Sequence, residues 1–390
     1  MRPLIKWPGG KSAEIPRFES MIPEYDRYIE PFAGGAALFF HLCPASAVLN
    51  DISGDLMLFY EMVGLQDPSF RRYLELYDSS FTALRALCVT REEEILTLYG
   101  IYAAADRDEK KVSGLDLCAG IARQIAADPE ICTELVCDRD AFEQEMERAV
   151  EDKIRRTVKL EKKGPLSAKD LSANLRTGFC SGFYLYFRRL YNEIILGKRE
   201  AGKAFRAANF YFVREYCYGS MFRYNRAGEF NIPYGGISYN EKNLSEKIRR
   251  LFSDDVARLM GRTRLCSMDF EEFLKEADLQ PNDFLFLDPP YDTDFSEYEG
   301  NVFDRRDQKR LADLLGQVPC RFLLIIRNTE FIHALYSGRG WRLETFDNRY
   351  MYNVRSRNNR EAEHLIVTNV PEEEVPWIRE TAERTGDHLR

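Results

Sequence analysis

The chain has 390 residues, 45% of them hydrophobic and 30% charged, with a net charge of −8. That length carries a sizeable core and more than one domain, and the balance is that of a globular protein. No apolar run reaches membrane-spanning length, and nine scattered cysteines without a C-x-x-C pair, beside four histidines, argue against a disulfide framework or a structural zinc site.

The first residues, Met1-Arg2-Pro3-Leu4-Ile5-Lys6-Trp7, lack the long apolar segment and small-residue cleavage site of an export signal. A reducing cytoplasm is therefore the expected compartment. Tyr28-Ile29 reads as a short strand running into a glycine-rich turn, and Ala36 to Leu42 suits a helix. Ala47-Val48-Leu49 is a second strand, and Ser53-Gly54-Asp55 opens an amphipathic run from Leu56 to Val63. Strand–helix–strand order indicates an α/β sheet. Residues 70–175 carry helical periodicity and many charges, with Asp140 to Val158 as one amphipathic helix and Lys162-Lys163-Gly164-Pro165 as a break.

Residues 176–236 are rich in tyrosine, phenylalanine and arginine. Within them, Asn225-Arg226-Ala227-Gly228 between strand-type residues predicts a hairpin. Helical pattern returns over 241–260, and strands are expected near Arg264–Cys266, Phe284–Leu287, Phe322–Ile326 and His364–Val367. The expected organisation is an α/β domain over 1–66 and 237–372, a helical insertion over 67–177, a target-recognition region over 178–236 and a tail over 373–390.

Charge is unevenly distributed. Residues 92–152 are strongly acidic, while 153–206 and 339–360 are basic with interleaved aromatics. The basic stretches read equally as phosphate-binding faces or as solvated helix surfaces.

Asp288-Pro289-Pro290-Tyr291 is the most informative segment. It follows the apolar run Phe284-Leu285-Phe286-Leu287, and its prolines end that strand and stiffen the turn. A carboxylate and a proline carbonyl can accept the two N–H bonds of an exocyclic amine whose ring stacks on Tyr291. Glu30-Pro31-Phe32-Ala33-Gly34-Gly35 allows close backbone approach to a ligand, and Asp51 at the next strand end is placed for ribose hydroxyls. Trp7-Pro8-Gly9-Gly10-Lys11 adds a cation that can pair with a carboxylate. Asp269-Phe270 offers an acid and a ring for adenine, although Asp269 reads equally as a helix N-cap.

These motifs together resemble the Dam-type adenine-specific (N6) DNA methyltransferase family, with Arg223-Tyr224-Asn225 and Gly228-Glu229-Phe230-Asn231-Ile232-Pro233 extending the match. The resemblance covers roughly residues 4–65 and 178–369. It implies a Rossmann-like sheet binding S-adenosylmethionine, with S-adenosylhomocysteine as product, no metal, and an inserted target-recognition domain. It further implies cofactor contacts from Trp7, Gly10, Lys11, Glu30, Phe32, Gly34, Gly35, Asp51, Asp269 and Phe270. Catalysis falls to Asp288, Pro289, Pro290 and Tyr291, and contacts to double-stranded DNA to Lys6, Tyr218, Arg223 and Asn225. Tyr218 reads as a wedge between bases or as core.

Three departures stand out. Ala36 replaces a frequent glycine, the acidic stretch 78–150 is long, and Gly236-Ile237 stand where GATC-reading members carry Arg-Tyr. A restriction–modification or orphan role in the cytoplasm, associated with a bacterial or phage nucleoid, follows, with a cognate endonuclease as a partner in the former. An RNA adenine-N6 methyltransferase and a non-catalytic DNA-binding scaffold are the alternatives. Glu30–Ala36 does not give the G-x-G-x-x-G of a dehydrogenase.

Overall fold

A computed structural model of the protein describes residues 1–104, 108–290, 297–298, 301–349 and 361–374. The chain divides into two compact units, one of Met1–Gly64 with Asp254–Arg390 and one of Leu65–Ser253.

The first unit is built on a sheet. Its strands are β1 (Arg27–Glu30), β2 (Ala47–Asn50), β3 (Thr263–Cys266), β4 (Asp283–Leu287), β7 (Arg321–Arg327), β8 (Arg342–Arg349) and β9 (Glu361–Thr368). A separate pair, β5 (Glu297–Tyr298) and β6 (Asn301–Val302), is antiparallel. The seven-stranded order is β3-β2-β1-β4-β7-β9-β8. The first five strands are parallel, and β9 runs antiparallel to both neighbours. This is a mixed α/β, Rossmann-like sheet.

β4 explains why its sequence is a continuous apolar run: every residue is buried, as in a parallel strand covered on both faces. Phe286 stacks on Phe18 of α1 (Ile15–Phe18), and Tyr28 on β1 meets Phe39 of α2 (Ala37–Leu42). α3 (Gly54–Gly64) joins that layer through Tyr60 against Phe40 and packs on α11 (Asp254–Gly261). The alternate residues Leu285 and Leu287 share a core with α12 (Phe270–Glu276), α13 (Arg305–Leu315) and α14 (Glu330–Tyr336). All six strands expected from the sequence are present. β8 was not expected, because an edge strand carrying Arg342, Glu344, Asp347 and Arg349 lacks an apolar signature.

The second unit is helical: α4 (Pro68–Thr90), α5 (Glu92–Ala104), α6 (Asp108–Ala126), α7 (Arg139–Glu161), α8 (Ala168–Ile195), α9 (Lys203–Tyr216) and α10 (Ser245–Leu251). Tyr77, Phe81, Phe183, Phe187 and Phe212 form its aromatic centre, with Tyr77 stacked on Phe212 at 4.6 Å. α7 and α8 approach closely, because Gly182 faces Met146 where an added Cβ would lie 2.9 Å from Met146 Cα.

Two expected boundaries shift. α8 runs unbroken through 177 and 178, so the helical insertion and the hairpin region share one framework. Residues 237–253 also belong to this unit rather than to the sheet. Asn240 donates to Ala173 O (3.2 Å) and Thr177 Oγ1 (2.9 Å) on α8, and Leu244 N donates to Asp78 Oδ1 (2.6 Å) on α4.

Among the described residues, no helix is long and apolar enough to cross a membrane.

Gly182→Ala is expected to destabilise this unit by about 1–3 kcal/mol, because the α7 backbone must move. Gly120→Ala on α6 meets nothing within 4 Å and should stabilise by roughly 0.5–1 kcal/mol through helix propensity. Urea unfolding midpoints of the two variants should move in opposite directions.

Candidate active site

Strand order reverses between β1 and β4, and open α/β sheets bind ligands at such a point, beyond the carboxyl ends of the strands. The expected cofactor and catalytic residues of the sheet cluster there. Glu30 ends β1, Asp51 follows β2, Asp269 and Phe270 follow β3, and Asp288 follows β4. Asn50 ties three of these ends together. Its amide donates to Pro31 O and Met268 O (both 3.0 Å), while its Oδ1 accepts from Met268 N (3.0 Å).

The turn after β1 is shaped around Trp7. Gly34 adopts φ +47°, and a Cβ there would come within 2.7 Å of the Trp7 ring; one on Gly35 would lie 3.2 Å from Trp7 Cβ. Glycines therefore allow the indole to lie on the turn. Gly34 N donates to Asp51 Oδ2 (2.8 Å), Ser53 N donates to Asp51 Oδ1 (2.9 Å), and Tyr60 OH donates to Gly34 O (2.8 Å). The Asp51 carboxylate is thus oriented before any ligand arrives. Ala36 takes φ 49°, the left-handed conformation that glycine favours at this position. Gly10 N donates to Trp7 O (3.3 Å), closing the turn that leads to Lys11.

Lys11 is buried, and its Nζ meets Asp288 Oδ1 at 2.8 Å and donates to Gly9 O at 3.3 Å. Burial raises the Asp288 carboxyl above its ordinary value, and the Lys11 ammonium opposes that rise. Pro289 is buried, and the Pro290 carbonyl accepts from Gln308 Nε2 at 3.0 Å. Tyr291 lies outside the described residues. Glu30 accepts a bond from Tyr28 OH (3.0 Å), and burial pushes its carboxyl well above the usual range, with Asp288 and Asp51 adding to the effect. Burial likewise raises Asp51, against its two N–H donors.

An aromatic trio lies beside these acids. Phe32, Phe270 and Phe303 have ring centroids 5.4–5.6 Å apart. Asp269 caps α12 through Glu271 N (2.9 Å), so the N-cap reading holds, and it also accepts from Arg310 Nη2 (2.8 Å). Arg310 pairs in addition with Glu271 and Asp307, and its guanidinium sits 4.8 Å over the Phe270 ring. Sequence reasoning missed Phe303, Gln308 and Arg310. The last two lie in the charge-dense run Arg305-Arg306-Asp307-Gln308-Lys309-Arg310, which reads as a solvated helix face.

Lys6 is exposed in this first unit. Tyr218, Arg223 and Asn225 lie in the second. Tyr218 is 54% exposed, which rules out the core reading. It sits on a turn with Gly219 and Ser220 at positive φ. Buried Arg214 holds that turn through bonds to Ser220 O (3.1 Å) and Met221 O (2.6 Å). The expected hairpin exists as the bridges Tyr224↔Phe230 and Cys217↔Tyr234. α8 supports it, with Asn192 bonded to both N and O of Phe230 and Tyr184 OH donating to Ile232 O (2.8 Å). Arg223 is exposed, and its Nε donates to Asn231 Oδ1 (2.9 Å). Asn225 serves the hairpin itself: its Oδ1 accepts from Ala227 N and Glu229 N, and its Nδ2 donates to Glu229.

Gly236 stands at φ 84°, ψ −163°, a region open essentially to glycine alone, so an arginine there would be strained. The basic block 153–206 is partly self-neutralised. Arg155, Arg189 and Arg199 pair with Glu151 or Glu193, and Arg188 donates to Ile232 O. In the second basic stretch, Arg339 and Arg342 pair with Asp313, Glu344 and Glu372, and residues 350–360 lie outside the described residues. No group of three or more His, Cys, Asp or Glu side chains is placed to hold a metal ion among the described residues.

The raised Glu30 carboxyl makes the folded state bind more protons than the unfolded chain above the ordinary value of 4.5. Its stabilisation is complete below that value and is lost as pH rises through the folded pKa. Glu30→Gln keeps an acceptor for Tyr28 without the charge. The variant should lose less thermal stability than the native chain as pH rises from 4.5. Equal slopes in melts across that range would mean that Glu30 titrates normally.

A family model described as D12 class N6 adenine-specific DNA methyltransferase matches residues 7–92 and 158–353. The chain is also similar to the type II methyltransferase M.CviBI of Paramecium bursaria Chlorella virus NC1A, with 23% identity over 375 residues, 95% of this chain and 100% of that protein. The type II methyltransferase M.MjaIII of Methanocaldococcus jannaschii is 22% identical over 361 residues, 87% of this chain and 89% of its own. A DNA adenine methylase of Vibrio cholerae is 27% identical over 164 residues, 40% of this chain and 54% of its own. With a family match over more than half its length, falling on the segments that build the crevice, the chain belongs to the D12 class of N6 adenine-specific DNA methyltransferases.

Proposed function

We propose that this enzyme uses S-adenosylmethionine to methylate N6 of an adenine flipped out of duplex DNA, with Asp288 as the residue that positions the amine. The observation that carries this reading is the buried Lys11–Asp288 contact at the end of β4, beside the Pro289–Pro290 turn.

The donor set fits the cofactor. Glu30, Asp51 and Asp288 all have raised carboxyl pKa values, and Lys11 is the cation paired with one of them. Such a site favours a ligand that brings positive charge. Bound there, S-adenosylmethionine supplies a methyl group already activated on a sulfonium. Asp51, pre-oriented by Gly34 and Ser53, would accept from the ribose hydroxyls. Asp269, Phe270 and Phe32 would hold the adenine end. Trp7, seated on Gly34 and Gly35, would line the methionine side with Gly10, Lys11 and Glu30.

The target N6 lone pair is delocalised into the ring, so the nitrogen is a poor nucleophile. Asp288 and the Pro289 carbonyl would accept the two N6–H bonds. That pairing draws the nitrogen towards a tetrahedral form and aims its lone pair for in-line transfer. Positioning and fixed charge then supply most of the rate. Extrusion of the base costs a few kcal/mol, and stacking on Tyr291 would recover part of it.

The second unit would read the target. Exposed Tyr218 suits a wedge in the stack left by the flipped base. Arg223 suits a bidentate contact to guanine O6 and N7. Asn225 holds the hairpin that presents them, and Lys6 would contact the backbone from the first unit. The type II methyltransferases among the relatives support a place in restriction–modification, with a separate endonuclease as partner and the cytoplasmic chromosome as the site of action.

Expression in a bacterial host stripped of adenine methyltransferases, followed by genome-wide mapping of N6-methyladenine, tests the reading. Modification at one short motif is expected, and Asp288→Ala should abolish it while leaving S-adenosylmethionine binding within about threefold. Methylation surviving in Asp288→Ala would sink the assignment. In the same assay Arg223→Ala should relax one position of the motif, at a cost of about 1–3 kcal/mol in discrimination. A uniform loss over all sequences would instead identify a phosphate contact.

A further inference from the structure

Behind the Lys11–Asp288 contact lies a second buried pair that the methyl transfer itself does not use. His364 on β9 is fully buried, and its Nδ1 lies 2.9 Å from Glu14 Oε2, itself on a buried residue. β9 is a rigid mount: His364 pairs with Arg327 of β7 on one side and with Phe346 of β8 on the other, and the Phe346 ring meets the imidazole edge-on at 5.3 Å. Glu14 is the N-cap of α1, and its own backbone N–H donates to the Lys11 carbonyl at 2.8 Å. Lys11 Nζ then reaches Asp288 Oδ1 at 2.8 Å. Every link is at hydrogen-bonding distance, and the path runs from β9 to the carboxylate at the end of β4.

A polar pair is not what this strand requires. β9 continues Leu365-Ile366-Val367, all buried, so an aliphatic residue at 364 would suit it. A buried ion pair is weak evidence for stability, since well-packed apolar residues usually do as well. Its value here is directional. An apolar contact holds a turn in place without setting its angle, whereas a hydrogen bond from a ring fixed in a strand paired on both sides sets both.

We propose that His364 and Glu14 are positioning residues that set the Lys11 turn, and through Lys11 the orientation of the Asp288 carboxylate towards the adenine amine. The proposal rests on the reading of Asp288 as the residue that positions the amine. Neither His364 nor Glu14 is among the residues assigned contacts to substrate or cofactor. Besides Lys11, Asp288 is faced by Glu14, His364, Glu30 and Tyr28, and the geometric tie to Lys11 runs through the first two.

The test is steady-state and single-turnover methylation of duplex DNA by the full-length chain with S-adenosylmethionine. His364→Leu and the double variant Glu14→Leu/His364→Leu should lower kcat by roughly tenfold to a hundredfold, with KM for DNA and cofactor within about threefold. The double variant removes the tie without leaving a lone buried carboxylate, so it reports even if His364→Leu fails to fold. Glu14→Gln keeps an acceptor for the imidazole and the backbone link, and should retain most of the native kcat. Native kcat in the double variant would overturn the proposal. So would a loss confined to KM, or a Glu14→Gln variant as impaired as the double variant, which would assign the effect to charge instead of position. Asp288→Ala runs alongside as the control. If it stays active, the site reading fails and this proposal falls with it; if it is inactive while the double variant is fully active, only this proposal falls.

Discussion

The pairing of Lys11 with Asp288 is the contact on which the site depends. A lysine from a glycine-rich N-terminal turn and an aspartate beyond the fourth strand meet at 2.8 Å, and both are drawn largely out of water. Burial alone would favour the neutral form of Asp288, a weaker hydrogen-bond acceptor than the carboxylate. The ammonium offsets that tendency. The same contact fixes one carboxylate oxygen and leaves the carboxylate aimed, so the prolines that follow need only hold their carbonyls still. Gln308 helps with this by bonding Pro290 O from the facing helix.

The rest of the first unit supports that pairing. Asn50 fixes the ends of three strands relative to one another. Gly34 and Gly35 give up side chains so that Trp7 can lie on the turn. Asp51 and Asp269 are each held in one orientation by backbone N–H groups. The accumulation of acids with raised pKa values is unfavourable for folding as the pH rises.

The second unit answers a different problem. A hairpin of isolated bridges has too few ladder bonds to hold its own shape. Asn192, Tyr184 and Arg188 of α8 supply the missing partners, and Arg214 of α9 clamps the turn that exposes Tyr218. A long helical framework therefore underlies a short hairpin. The acidic segment 92–152 contributes α5, α6 and most of α7 to that framework, and much of it falls outside the family match.

The chain alone determined the strands whose residues are buried on both faces, because a short continuous apolar run such as Phe284–Leu287, closed by prolines, has no polar side to turn to water. It also marked the strand ends at which the sheet's order reverses, where glycine, proline and an acid follow an apolar run. Local pattern could not reveal β8, whose polar residues suit an edge, or the true extent of the second unit, because α8 carries no break at 177 and Asn240 and Leu244 find their partners only in three dimensions. Nor could it assign Phe303, Gln308, Arg310, Glu14 or His364. Their importance comes from contacts between segments far apart in the chain, and a hydrogen bond between distant residues leaves no periodicity in either one. Tertiary structure also supplied surroundings that the residues alone do not give. Asp269 is a cap because Glu271 N reaches it, Tyr218 is exposed because its turn projects it, and Asn225 is tied into the hairpin because three of its bonds close there.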